Sequence, residues 1–404
     1  MFGSSHDSIT YNIIGDGKVE FTAKLVEAWK IVAFSRIANR VLMHIADFKA
    51  ENFRDLEKKS ADIPWELFLP NERNVHIHVT CKHSRLYHSD AVAERLQKVI
   101  EGGSAPKAEE NVPPQNLYVT LIDDRCTVWL DLAGEELYKR GHERFVNDAP
   151  LKETIAAAML FEAFSTLHII HHQSSIINCP LSITLIDPMS GSGTFSLEAA
   201  YMANGFIPGK CRDFALMHQP AFKQATWDFL IRRETRDERR EKGNNILKII
   251  TSDISEKAVE IIRHNASISP LATVAPGGTA LNPQVRDFFS YSAAEIADAC
   301  PEGSSPVIVL NPPYGKRLDF DAPKLYTKIG KKLAELAREL SPLGKPLTVA
   351  ILAPKDDPRP GTKYTCTANL LRECPTLDAA KNCDAKCIVT SHGGLSLNAI
   401  FAKI

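Results

Sequence analysis

The chain is predicted to be an α/β protein, with a largely parallel sheet of about seven strands preceded by a smaller α/β module. Three observations carry this reading. From about Pro150 onward, short apolar runs alternate with helical stretches, the pattern of strands joined by crossover helices. Two of those strands end in special sequences: residues 183–186 run into Asp187-Pro188-Met189-Ser190-Gly191-Ser192-Gly193-Thr194, and Val307-Ile308-Val309-Leu310 runs into Asn311-Pro312-Pro313-Tyr314. The residues before Pro150 have a different texture, and 404 residues suit two or three domains better than one core.

The elements follow in chain order. Residues 75–80 alternate as Val-His-Ile-His-Val-Thr, a half-buried strand, and residues 89–100 then space apolar side chains as a helix does. Gly, Pro and Glu crowd residues 101–116, a loop, before strand patterning resumes at 117–121 and 127–132. The module ends near residue 145. A helix at 152–166 opens the second region. It is followed by the strand at 183–186, a helix at 194–203, a strand at 247–251, a helix at 255–266 and a short strand near Val285. The strand at 307–310, a helix at 325–340, a strand at 347–352 and a hairpin over 386–402 complete the sheet. Residues 204–245 interrupt the alternation. They include Pro208-Gly209 and the run Arg232-Arg233-Glu234-Thr235-Arg236-Asp237-Glu238-Arg239-Arg240, whose mixed signs read as a solvated helix face, with an RNA-backbone contact as the sharper alternative.

Composition narrows the function classes. With 44% hydrophobic and 24% charged residues, the chain can bury a large core, and no apolar run approaches the roughly 18 residues of a membrane span. Residues 1–17 lack the basic start and apolar stretch of a secretory leader, so the cytoplasm is the expected compartment and no membrane partner is expected. Nine cysteines without a compact framework fit reduced thiols. A net charge of −1 offers no global attraction for nucleic acid, so any such partner needs local basic patches.

The chemistry concentrates in three places. Ligands of open α/β sheets sit beyond the carboxyl ends of strands, where glycines such as Gly191 and Gly193 let a backbone approach them closely. A dinucleotide fingerprint would want Gly or Ala where Ser196 stands, so a cofactor joining a nucleoside to an amino acid fits the turn better. Asp253, at the end of the next strand, can accept both hydroxyls of a ribose, and Ser255 rather than Asp253 can cap the helix that follows. Asp287 could accept an adenine amino group or simply close a turn.

Asn311-Pro312-Pro313-Tyr314 is the most specific signal. An exocyclic amino nitrogen is a poor nucleophile because its lone pair is delocalised into the ring. Two acceptors gripping its hydrogens, the Asn311 side-chain oxygen and the Pro312 carbonyl, would turn that lone pair outward. The prolines fix the backbone, and Tyr314 offers a ring on which an extruded base can stack. An Asn-Pro-Pro turn could be merely structural, but its place after a very apolar strand favours catalysis. The pattern predicts methyl transfer from S-adenosylmethionine to an amino group, with alignment rather than a general base supplying the rate.

These residues resemble a known family, the class I RNA methyltransferases that carry a THUMP domain, and in particular the bacterial large-subunit ribosomal RNA guanine-N2 methyltransferases. The likeness covers nearly the whole chain. Ser35-Arg36-Ile37-Ala38-Asn39-Arg40-Val41 with Phe48-Lys49-Ala50 is similar to the entry into the THUMP domain, and His83-Ser84-Arg85-Leu86-Tyr87-His88 to its RNA-facing loop. Leu130-Asp131-Leu132-Ala133-Gly134 and Arg140-Gly141-His142 resemble its end, and Ala149-Pro150-Leu151-Lys152-Glu153-Thr154 the opening of the catalytic domain. The resemblance implies a partial ferredoxin-like lobe at 1–50, a THUMP RNA-binding domain at 51–145 and a Rossmann-like methyltransferase domain at 146–404. It implies that Asp187, Pro188, Gly191, Gly193 and Thr194, with Pro150 and Thr154 beside them, hold the methionine part of S-adenosylmethionine, Asp253 its ribose and Asp287 its adenine. It also implies that Asn311, Pro312 and Tyr314 hold the target base and that His83, Arg85, Tyr87 and Arg140 contact RNA. Pro208-Gly209, Arg212 and Phe214 match the family's insertion after the first crossover helix.

Ser190 stands where the family commonly has Cys, a neutral change because no step uses a thiol. The sequence starts late in the small lobe and resembles the N-terminal half of the long fused members, so a single kind of modification is expected. Ribosomal RNA is the expected partner, transfer RNA the runner-up, and a non-catalytic RNA-binding assembly factor the alternative of another class. No obligate protein partner is evident. No metal is expected: Cys374, Cys383 and Cys387 with His392 match no zinc spacing. His168, His171 and His172 are read as following the opening helix, and His76 and His78 as facing solvent.

Overall fold

The computed structural model describes residues 11–15, 17–70, 74–102, 113–146, 150–171, 182–236, 246–274, 278–314, 321–356 and 365–404. They form two compact units, one from the described residues of Met1–Gly141 with Pro208–Arg236, the other from His142–Ile207 with the described residues of Asp237–Ile404.

The first unit opens with an antiparallel pair, β1 (Tyr11–Gly15) and β2 (Lys18–Phe21), and helix α1 (Leu25–Phe34). Then come β3 (Leu42–Lys49), α2 (Phe53–Ala61), β4 (Val75–Lys82), α3 (Ser89–Glu101), β5 (Gln115–Ile122) and β6 (Arg125–Asp131). The four later strands make one sheet in the order β3-β6-β5-β4, in which only β4 and β5 run parallel. Alternation explains its single core: Leu117, Val119 and Leu121 of β5 point inward with Val128 and Leu130 of β6, against Leu56 of α2 and Val92, Leu96 and Ile100 of α3. The expected strand and helix of residues 75–100 are found in place.

The second unit begins with α4 (Glu153–His171), β7 (Ser182–Asp187) and α5 (Thr194–Ala203). Helix α4 is longer than expected, so His168 and His171 belong to the helix instead of following it, and His172 lies outside the described residues. A run of good helix formers, Ala156-Ala157-Ala158-Met159-Leu160, starts a helix that no Gly or Pro stops where the periodicity fades.

Pro208–Arg236 joins the first unit, although the sequence placed it inside the 146–404 region. Its helix α6 (Gln224–Arg236) and the preceding loop supply Phe214, Leu216, Trp227 and Leu230 to a cluster with Trp29, Val32 and Ala33 of α1 and with Leu132 and Leu137. Arg212 fastens it by donating to the carbonyls of Glu135, Glu136 and Lys139 at 2.8–2.9 Å. Residues 237–240 of the charged run lie outside the described residues.

The second unit continues with β8 (Ile246–Asp253), α7 (Glu256–Ile268), the two-residue β9 (Gln284–Val285), α8 (Ala293–Ala299) and β10 (Ser304–Leu310). Helix α9 (Ala322–Leu340), β11 (Thr348–Pro354), α10 (Cys366–Glu373), β12 (Ala385–His392) and β13 (Leu395–Lys403) complete it. The sheet has seven strands in the order β12-β13-β11-β10-β7-β8-β9, parallel except at β13. Both faces are covered, so central strands read as unbroken apolar runs. In β10, Ile308 and Leu310 enter a core with Tyr326, Ile329 and Leu333 of α9, while Val307 and Val309 enter another with Ala156, Leu160 and Ala163 of α4. Parallel pairing to this doubly buried strand brings the carboxyl ends of β10, β7, β8 and β9 to one edge of the sheet. No helix among the described residues is long and apolar enough to cross a membrane.

Candidate active site

Every cofactor and base candidate from Asp187 onward lies at that edge. Asp187 ends β7, Asp253 ends β8, Asp287 follows β9, and Asn311 follows β10. The four strands are neighbours. At about 4.8 Å per strand, the row from Asn311 to Asp287 extends over roughly 14 Å, the scale of an extended nucleoside-amino-acid molecule.

Asp187 is fully buried. Its Oδ2 accepts from the Ser196 backbone N–H at 3.2 Å and the Ser196 hydroxyl at 2.7 Å, while Oδ1 is buried without a partner. Burial outweighs those hydrogen bonds and pushes its carboxyl up to about 7. Asn311 is the parallel case: its Oδ1 is buried and accepts no hydrogen bond. Pro312 beside it is buried, Pro313 exposed, and Tyr314 half-buried against the α4 side of the core. Burial pushes the Tyr314 hydroxyl up to about 12, so the ring stays neutral. An orphaned acceptor at each of two neighbouring strand ends fits a ligand that brings its own donors.

The glycine-rich turn is held from several sides. Gly191 donates its N–H to Asp253 Oδ2 at 2.8 Å, and Asp253 Oδ1 accepts from Ser255 N at 2.9 Å. Each carboxylate oxygen keeps acceptor capacity beyond these bonds. Ser255 is itself the N-cap of α7, its hydroxyl accepting from Ala258 N. Ser190 donates through both its N–H and its hydroxyl to the Ser252 carbonyl, at 3.1 and 2.8 Å. Both glycines have positive φ, 54° at Gly191 and 78° at Gly193. A Cβ at Gly193 would lie 2.8 Å from Ile262 of α7, whereas one at Gly191 would meet nothing within 4 Å. Gly193 is needed for packing, and Gly191 leaves open space where a ligand can approach.

Thr154 is buried in the first turn of α4, after the half-buried Pro150 and next to Leu151, whose carbonyl accepts from the Thr194 hydroxyl at 3.4 Å. Pro188 is buried in the turn. Asp287 is exposed, and its Oδ1 closes a local turn by accepting from Phe289 N at 3.0 Å. Sequence reasoning missed two residues here. Ile254, directly after Asp253, leaves its apolar side chain 72% exposed at the same edge, a signal legible only as an apolar residue just past a strand end. Arg144 packs against this turn with little of its side chain exposed, and no motif announces it.

The RNA-facing candidates belong to the first unit. His83 takes a left-handed conformation with φ of 50°, and the loop is tied to the β5–β6 turn, with Arg85 N donating to Asp124 Oδ1 at 2.7 Å and Asp124 N to the Ser84 hydroxyl at 3.0 Å. Arg85 is exposed and pairs with Glu51, and Tyr87 is 69% exposed with its ring 4.1 Å from His88. Arg140 corrects the expectation. It is buried, and its guanidinium donates to the carbonyls of Leu137 and Arg36, both at 2.9 Å, so it braces the unit from within and cannot meet a phosphate there. Of the other histidines, His78 is exposed and stacks on Tyr118 with centroids 4.7 Å apart. Among the described residues no group of three or more His, Cys, Asp or Glu could hold a metal, and the cysteines are free.

A glycine turn after the first central strand, an acidic residue after the second and a reversed last strand define the second unit as a class I methyltransferase fold. Residues 50–131 match the THUMP domain, and residues 181–343 match the family UPF0020, described as an RMKL-like methyltransferase domain. The chain is thus a THUMP-domain protein with an RMKL-like methyltransferase domain. A ribosomal RNA large subunit methyltransferase K/L of Syntrophotalea carbinolica is 30% identical over 335 residues, covering 78% of this chain and 42% of that protein. YpsC of Bacillus subtilis, provisionally named an RNA methyltransferase, is 28% identical over 315 residues, covering 76% of this chain and 73% of its own. The solved structure of SMU.472, described as a methyltransferase complexed with SAH, has a TM-score of 0.70 at 23% identity, covering 98% of this chain and 92% of that one. That likeness concerns the fold. The matched part of the chain spans about two fifths of the length of the K/L relatives, 40 to 42%.

Proposed function

We propose that this chain is an S-adenosylmethionine-dependent RNA methyltransferase acting on the exocyclic N2 of a guanosine in large-subunit ribosomal RNA. The observation that carries the proposal is the Asn311 side-chain oxygen, buried and without a donor at the end of β10. When bound, S-adenosylmethionine supplies an electrophilic sulfonium methyl group. Asp187, Gly191 and the 150–154 turn would hold its methionine part, Asp253 its ribose, and Asp287 with Ile254 its adenine.

The protein's own residues do the rest. Asn311 Oδ1 and the Pro312 carbonyl accept the two amino hydrogens, which localises the nitrogen lone pair and aligns it with the methyl group. The same two dipoles stabilise the nitrogen as it becomes cationic. Its proton can leave to water afterwards, and a Tyr314 ring kept neutral by burial suits stacking on an extruded base. The names of the K/L relatives favour large-subunit ribosomal RNA, and the THUMP match favours an RNA over a DNA or protein substrate.

The test is to delete the gene, digest ribosomal and transfer RNA separately to nucleosides, and quantify methylated guanosines by mass spectrometry. Loss of N2-methylguanosine from the large-subunit pool is expected. Loss from the transfer RNA pool would move the substrate, and loss from neither would sink the reading.

A further inference from the structure

We propose that Arg144 is a positioning residue for the methyl donor, a clamp that holds together the two turns around the methionine part. The inference rests on the donor reading above. It does not depend on which RNA is methylated.

The Arg144 side chain is only 11% exposed, and its planar guanidinium reaches two separate segments. Nη1 pairs with the carboxylate of Glu153, in the first turn of α4. Nη2 donates to the Thr194 hydroxyl at 2.6 Å, and lies 3.3 Å from the Ser192 hydroxyl and 3.5 Å from the Ser192 carbonyl. Ser192 and Thr194 flank Gly193. One rigid cation therefore ties the 150–154 turn to the far half of the glycine-rich turn, and the Thr194 hydroxyl closes the circuit by donating to the Leu151 carbonyl at 3.4 Å. Lysine could not do this, because a single ammonium on a flexible stem has no fork to span two acceptor sets.

The backbone carrying Arg144 is fixed as well. Phe145 donates its N–H to Asn265 Oδ1 and accepts from Asn265 Nδ2, both at 2.8 Å, and Asn265 is 2% exposed on α7. Helix α7 is also the element that Gly193 packs against through Ile262. The clamp thus shares its foundation with the turn it holds.

Stability is a poor explanation for this arrangement. A buried ion pair recovers its desolvation cost only with good geometry and full hydrogen bonding, and apolar replacements are often as stable. Here the Nε of Arg144 is buried without any partner, a cost that packing does not require. What the guanidinium does accomplish is to fix the relative position of two turns before the donor arrives, so the ordering cost of holding them is not charged to donor binding.

The test compares the wild type with Arg144→Met and Arg144→Lys in the full chain, using calorimetry with S-adenosylhomocysteine and steady-state kinetics. Expected is a rise of about 10-fold in Kd for Arg144→Met and a smaller rise for Arg144→Lys, with KM for the donor rising in parallel and kcat at saturating donor within about twofold. Unchanged Kd in both variants would overturn the clamp and leave the donor reading standing, and so would a fall in kcat with unchanged Kd. A wild type that binds no S-adenosylhomocysteine would overturn the donor reading and the clamp with it. Should Arg144→Met fail to fold by circular dichroism, Arg144→Lys decides: a raised Kd at an unchanged melting temperature supports the clamp, and an unchanged Kd overturns it.

Discussion

At the carboxyl ends of β7 and β10 two buried oxygens, Asp187 Oδ1 and Asn311 Oδ1, lack donors. Leaving such a group unpaired costs about 1–3 kcal/mol, which is tolerable where a ligand later supplies the donor. Asn311→Ala should slow methyl transfer by about 10² or more while barely changing donor affinity, because the lost contact belongs to the transition state. Single-turnover rates alongside calorimetry check this, and a fully active variant would remove Asn311 from the mechanism. Asp187 gives a pH prediction. Its carboxyl is pushed from 3.8 up to about 7 by burial, so between those values the folded state holds a proton that the unfolded state has released. Its contribution to stability must therefore fall as pH rises from about 4 to about 7 and then level off. Asp187→Asn, which cannot ionise, should lose less stability across that window than the wild type. Melting temperatures at pH 5 and pH 8 decide it: a difference between the two proteins that does not shift toward the variant would mean that Asp187 is already ionised at pH 5.

The turn that follows Asp187 separates two uses of glycine. Gly193→Ala meets both a left-handed backbone, worth about 1–2 kcal/mol, and Ile262 at 2.8 Å, whereas Gly191→Ala meets only the backbone cost. The first should destabilise the unit more in urea unfolding, and its cost should be less than additive with that of Ile262→Ala, which removes the Cγ atoms that the new Cβ would meet; the second should chiefly weaken donor binding. Equal destabilisation by both would contradict the packing. The sequence made this turn visible because its signal is local: a strand, two glycines and a helix follow one another without interruption from Ser182 to Ala203. Asn311 was visible for the same reason, being bounded by an apolar strand and two prolines. The burial of Arg140, the contacts of Arg144 and the unit that the insertion joins were not. Nothing beside Arg140 says that the carbonyls of Arg36 and Leu137 will claim its guanidinium, and nothing around Pro208 says that Phe214 and Trp227 will pack on α1. The deciding partners are remote in sequence, 104 residues for Arg140 and Arg36 and farther still for α1 and Phe214, beyond the reach of periodicity.

For the molecule as a whole, the proposed RNA substrate is a polyanion that a chain with a net charge of −1 would have to hold. Its field offers no general attraction, so binding must rest on a few local cations, and each phosphate neutralised should appear in the salt dependence. Arg85 is the exposed candidate, but it is already engaged by Glu51, whose carboxylate is held below its usual range first by the Lys49 hydrogen bond and then by the charge of Arg85. An RNA phosphate approaching Arg85 must compete with that carboxylate. Glu51→Gln should then tighten RNA binding at moderate salt, and Arg85→Ala should weaken it while reducing the slope of log K against log salt by about 0.7–0.9, the share of one phosphate contact. Fluorescence anisotropy with a labelled ribosomal RNA fragment across about 50 to 200 mM salt measures both effects. If Arg85→Ala leaves the slope unchanged, this loop makes no phosphate contact, and the expectation of an RNA-facing role for Arg85 fails.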